Sequence, residues 1–209
     1  MTTDAVPTTP HLAAADGPEL VVAPATTFVS LRGSGRPGTE AFHQAKRTVR
    51  TVERALPPAR RVPGAGAVVE ILYRYPEGSV PVGIADFYWV NPVDDLEYRV
   101  LAQVDPATTD EELAAAADGA DGADVELYAL PERLVVQVLH RGPFADERRT
   151  LADLGSFAAD HGLRRVGDHH EIHLDPFTAS TPQDHLRTIL RDPVAGAGPS
   201  SRARRATSR

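Results

Sequence analysis

At 209 residues, 42% hydrophobic and 24% charged, the chain can bury one sizeable core or a fused pair of small modules, and its lack of cysteine excludes disulfides, thiolate metal sites and cysteine nucleophiles. Its net charge of −7 is uneven: the end AGAGPSSRARRATSR carries four arginines and no acid, leaving −7 − 4 = −11 before it, a body that repels phosphate backbones and favours cationic or neutral ligands. No apolar run approaches the roughly 20 residues of a membrane-spanning helix, and MTTDAVPTTP lacks the basic and apolar regions of a secretory signal, so a cytoplasmic protein without membrane contact is expected.

Residues 1–25, rich in Pro, Thr and Ala, read as a disordered leader. TTFVSLRG then reads as a strand, the turn GSGRPG follows, and Thr39 stands where a helix N-cap belongs. Phe42, Ala45, Val49, Val52 and Leu56 recur at steps of three or four and draw one apolar stripe along a helix, which Pro57–Pro58 stops. AVVEILYRY, IADFYWV and LEYRVLAQV are β-prone runs separated by the turns PEGSVP and NPVDD. TTDEELAAAADGA, with a Thr/Asp cap, early acids and a Gly stop, predicts a short connecting helix.

The second half repeats the order. LVVQVLHRG predicts a strand ending in Arg141–Gly142, as the first ended in Arg32–Gly33. A helix follows with Leu151, Leu154 and Ala158 on one stripe and Gly162 at its close. HHEIHL and HLRTILRDPV are the next strands, parted by DPFTASTPQD. The fold class expected is therefore α+β: duplicated β-α-β-β modules, about 26–105 and 123–194, in antiparallel sheets, with 195–209 as a disordered basic tail. Sheet edges at the modules leave a monomer or a homodimer open.

Four pieces in order, LHRGPF (139–144), HGL (161–163), HHEIHLDP (169–176) and TPQDHLRTILRDPV (181–194), resemble the C-terminal half of GyrI-like effector-binding domains. FVSLRGSGRPG and TTDEELAAA resemble the first half, so the likeness spans about 26–194. It resembles most the stand-alone subgroup that includes cyclopropanoid cyclopropyl hydrolases. The resemblance implies pseudo-twofold symmetry around a ligand cleft, and binding of lipophilic, cationic or planar aromatic small molecules through aromatic side chains and a buried glutamate. It also implies, within the subgroup, hydrolysis of cyclopropane-bearing DNA alkylators in an aromatic cage. In the strand matching GIADFYW the subgroup carries an acid before a tryptophan pair; here Ala85 and Tyr88–Trp89 stand there. No helix-turn-helix precedes the domain.

Period two on a strand sets His169, Glu171 and His173 on one face and His170 and Ile172 on the other. Glu171 matches the family's glutamate. Burying its carboxylate costs several kcal/mol unless a cation or donor meets it, which would turn that cost into ligand selectivity. Read as a strand, 84–90 places Phe87 and Trp89 on one face and Tyr88 on the other, so only one set can line the cleft. The expected catalytic residues are Glu171 and Tyr88. The expected ligand-binding residues are Phe87, Trp89, Tyr98, His140, Phe144 and His173. His169, Glu171 and His173, with His140 or His161, have a sensible metal-ligand spacing, but one strand rarely supplies a whole tetrahedral site, and no metal is expected. Neither a phosphate-binding glycine loop nor a nucleophile elbow occurs, so no cofactor is expected. Besides hydrolysis, the sequence leaves open a non-catalytic sensor or sink and a gyrase-inhibitor-like interaction.

Overall fold

The computed structural model describes residues 6–120 and 124–196. Its elements run β1 (Glu19–Ala23), β2 (Thr26–Ser34), α1 (Glu40–Ala55), β3 (Val69–Arg74), β4 (Glu97–Val104), α2 (Asp110–Asp118), β5 (Glu126–Leu130), β6 (Arg133–Arg141), α3 (Glu147–Asp160), β7 (Leu163–Arg165), β8 (His169–His173) and β9 (Arg187–Gly196). All strand pairs are antiparallel, in the order β1-β6-β9-β8-β3-β4-β2-β5, with β7 added to β9. The expected duplication is visible in this order. β2-α1-β3-β4 and β6-α3-β8-β9 are equivalent halves, and β3 meets β8 at the centre, with Ile71 opposite Glu171.

α1 forms where the stripe predicted it. Thr39 caps it by accepting the Phe42 N–H at 3.3 Å, and Leu56 leaves helical geometry before Pro57. Its stripe of Phe42, Val49, Val52 and Leu56 is buried against Val29, Ile71, Val100 and Val104, each such side chain adding about 1.5–3 kcal/mol of burial. α3 lays Leu151, Leu154 and Ala158 on Val136, Val138 and Leu190 in the same way. α2 begins with the expected Thr109–Glu112 reciprocal cap. Both large helices lie on one face of the sheet and leave a gap between them over β3 and β8.

Two sequence expectations are corrected. Within 1–25, taken as disordered, Glu19–Ala23 pairs with Arg133–Gln137 as β1, and Leu12 and Ala14 pack on the face of the sheet opposite the helices. Five residues among prolines gave too short a run to show a period. IADFYWV is not a strand. Between Pro81 and Pro92 it coils through turns closed by the Phe87 N–H on Ile84 O (3.4 Å) and the Trp89 N–H on Asp86 O (3.0 Å). The Asp86 carboxylate accepts the Gly83 N–H at 2.6 Å, the local bond by which aspartate competes with strand formation. β5, absent from the sequence reading, pairs with β2. The arginines of the basic tail lie outside the described residues. Among the described residues no helix is long and apolar enough to cross a membrane.

Behind β3 and β8 lies a polar layer sealed by residues 9–16. Glu70 accepts from His11 Nε2 at 2.8 Å and from His170 Nε2 at 2.8 Å, while Arg191 donates to Gln137 (2.7 Å) and to the His11 carbonyl (2.8 Å). Burial pushes the Glu70 carboxyl up, but the two histidines outweigh it and hold it at about 2. Burial drives His170 down to about 3.

Candidate functional site

The gap between α1 and α3 opens into a cavity of about 610 Å³. Its floor is β3 and β8, which present Tyr73, Glu171 and His173. Phe42 and His43 of α1 stand on one side, Glu147 of α3 and Phe144 on the other, and the loop after β8 closes over with Phe177. The 84–90 segment supplies Tyr88 and Trp89 at the rim. Rings meet around the cavity: Tyr73–Tyr88 centroids are 6.0 Å apart, Phe144–His173 5.4 Å, Phe144–Phe177 4.9 Å and Phe42–Tyr73 6.5 Å.

Glu171 is 5% exposed and holds the centre of this floor. The Tyr88 hydroxyl donates to its Oε1 at 2.6 Å; His173 Nε2 lies 3.3 Å from Oε2, and His169 Nε2 3.7 Å from Oε1. Burial pushes the carboxyl up, but the pull of His169 and His173 prevails and keeps it ionised far below the ordinary carboxylate range. His169 is likewise a contest: burial pushes it down, and Asp192, bonded to Nδ1 at 3.0 Å, overrides this and raises it to about 9. His173 is lowered by burial and is neutral near pH 7. Opposite Glu171, burial and then the charge of Glu171 itself raise the Glu147 carboxyl well above its usual value. Its Oε1 is buried without a partner among the described residues. The two carboxyls facing this cavity are thus pushed in opposite directions, Glu171 toward its ionised form and Glu147 toward its protonated form.

The structure brings together Glu171, Tyr88, Trp89, Phe144 and His173 of the expected site residues. It separates the rest. Phe87 does not share a face with Trp89, because 84–90 is turns; it is fully buried behind Tyr88, under the Arg165 guanidinium at 4.9 Å, while Trp89 is 42% exposed. Tyr98 packs edge-on to Phe42 at 5.2 Å and covers Gly33, where a Cβ would stand 2.3 Å from its ring. His140 bonds Thr150 Oγ1 (2.9 Å) and lies 3.1 Å from the Pro143 carbonyl, where it ties α3 to the strand end rather than facing the cavity. His161 stacks on Phe157 at 4.2 Å, away from the floor. Among the described residues no three His, Asp or Glu side chains converge as a metal-ligand set.

Sequence reasoning missed Glu147, His43 and Phe177. Glu147 reads as an ordinary first-turn acid of a helix, and only the depth of its helix in the cleft raises its carboxyl. Phe177 had a signal: it is the one aromatic in the polar turn DPFTASTPQD.

The sequence profile of the GyrI-like small molecule binding domain matches residues 17–194. The chain belongs to this family. Its GyrI-like fold is shared with solved structures. A crystal structure of an uncharacterized conserved protein from Listeria innocua superposes with a TM-score of 0.69 at 24% identity, covering 88% of this chain and 94% of that one. A structure titled as a hydrolase from Listeria innocua gives 0.67 at 22% over the same shares. The C-terminal domain of EcmrR gives 0.60 at 16%, covering 86% of this chain and 97% of that domain. No protein of curated function matches the chain.

Proposed function

We propose that this GyrI-like domain binds lipophilic aromatic cations in the central cavity and hydrolyses a reactive cyclopropane-type alkylator there. One observation carries the reading: an ionised carboxylate, Glu171, buried at the bottom of a ring-walled cavity of about 610 Å³. A delocalised cation gains from the ring faces and from this charge together. The hydrolytic part is supported by the second carboxyl. Glu171 orients the water that attacks the strained carbon; the ring-bond electrons pass to the conjugated carbonyl, which takes a proton from Glu147, and the proton that the water loses returns to Glu147 by way of solvent. The hydrolase title of a Listeria innocua structure of the same fold is in keeping with this.

Two assays separate the parts. Rhodamine 6G should quench the lone Trp89 saturably, and Glu171→Gln should weaken that binding at least tenfold. Incubation with a cyclopropane-bearing alkylator, followed by mass spectrometry, should show ring opening with addition of water. A rate equal to buffer, or one unchanged by Glu171→Gln, removes the hydrolytic part; intact ligand recovered after saturable binding leaves a sensor or sink.

A further inference from the structure

A second cavity, of about 850 Å³, lies on the other side of Phe177, between α1 and the loop after β8. It shares His43, His173 and Phe177 with the central cavity as a partition. Its character is opposite. Lys46, the chain's single lysine, is 7% exposed and lines this cavity, and its Nζ is buried with no hydrogen-bond partner among the described residues. The Phe177 ring lies 3.2 Å from Nζ to centroid and the Phe42 ring 5.9 Å, and the charge that acts on the ammonium is that of Glu171. One turn on, Arg50 faces the same space. Its Nη1 lies 3.2 Å from Glu53 but off a hydrogen-bonding line, so it too has an unused donor. A buried ammonium with nothing to donate to is costly, and a chain with a single lysine has placed it here.

We propose that this cavity is a second ligand site that takes an organic monoanion, a carboxylate on an apolar or aromatic body. The carboxylate oxygens accept from Lys46 Nζ and Arg50 Nη1, and the body rests on Val69, Ala67 and Phe177. A single negative charge fits best. The other acids lining the space, Glu40 and Asp175, are held by Arg47 and Arg187, and their presence disfavours a multiply charged phosphate. Phe177 then serves both cavities, its ring face toward the cation of Lys46 and its ring also packed against Phe144 and His173. The charge that burial most penalises is the one such a ligand would neutralise, and burial lowers the Lys46 ammonium to about 8.

The site does not depend on the cation-binding reading of the central cavity, and the test keeps the two apart. Calorimetric titration of the intact chain with 2-naphthoate should show one saturable site. The neutral 2-naphthamide should bind at least tenfold more weakly, and millimolar inorganic phosphate should not displace naphthoate. Lys46→Met should weaken naphthoate at least tenfold, while Glu171→Gln leaves it within twofold. A second readout needs no variant: reductive methylation of the native protein modifies Lys46, and saturating naphthoate should slow that modification severalfold in the peptide carrying it. No saturable naphthoate binding, equal binding of the amide, displacement by phosphate, or binding and methylation indifferent to Lys46→Met and to naphthoate would each overturn the proposal.

Discussion

Tyr88→Phe tests the heart of the central cavity. The substitution keeps the ring that packs on Tyr73 and Phe87 and removes only the hydroxyl that donates to Glu171 at 2.6 Å. Left behind is a buried carboxylate oxygen whose nearest remaining positive group is His169, at 3.7 Å and beyond hydrogen-bond reach. A hydrogen bond to a charged buried partner contributes about 1.5–3 kcal/mol. With a urea m-value of about 2.5 kcal/mol/M, a loss of about 2 kcal/mol lowers the denaturation midpoint by about 0.8 M at unchanged slope. The charge is what makes the bond strong, so in a Glu171→Gln background the same substitution should cost only about 0.5–1.5 kcal/mol. Four urea curves at pH 7 complete the cycle. A loss under 0.5 kcal/mol in the wild-type background, or an equal loss in both, would mean that the Tyr88 hydroxyl is not bonded to an ionised carboxylate.

Further outcomes follow from the same geometry. His169 is raised from 6.5 to about 9 by Asp192 against the opposing effect of burial, so its contribution is complete below pH 6.5 and is lost as pH rises through 9; at most about 3 kcal/mol is at stake, and His169→Gln should flatten that part of a stability-pH curve measured in urea. Lys46 runs the other way: its folded-state value of about 8 lies below the ordinary 10.5, so its penalty is full below pH 8 and fades toward 10.5. Lys46→Met should therefore be more stable than wild type by about 1–3 kcal/mol at pH 7, with the difference vanishing by about pH 10.5 in parallel melts. Gly155 of α3 faces the 84–90 segment so closely that a Cβ would stand 2.8 Å from the Ala85 Cβ and 2.9 Å from its backbone nitrogen; Gly155→Ala must displace the segment, and should weaken rhodamine 6G binding at Tyr88 and Trp89 severalfold in a fluorescence titration. Glu70→Leu should lower stability by about 3–5 kcal/mol in urea melts, because it strands Arg191, Arg133 and two histidines around an apolar side chain.

The legible parts of the fold were those with a sustained period or a strong terminus. The α1 stripe, the Thr39 and Thr109 caps, the alternation of His169, Glu171 and His173, and the repeated order of strands and helices all state their structure locally. Glu171 was legible because both its alternation and its family resemblance pointed the same way. The 84–90 segment was not, since three aromatics in a row carry β-propensity while the bond from Gly83 to Asp86 and the flanking prolines decide the outcome. β1 and β5 are five residues each and exist because neighbouring strands offer them edges. Glu147 and Lys46 depend on depth, which no local pattern encodes: the same side chains on shallower helices would be ordinary surface charges.

The sealed polar layer on the far side of β3 and β8 has a bearing on assembly. These two strands join the halves, and each alternates a residue on the helix-covered face with a member of that layer: Ile71 and Tyr73 against Glu70, and His169 and Glu171 against His170. Sliding either strand by a single position would turn Glu70 or His170 onto the helix-covered face and send its counterpart into a stratum with no matching charge. Apolar strands could tolerate such a shift; these cannot. The carboxylate that faces the ligand is thus aligned by the one that never meets it.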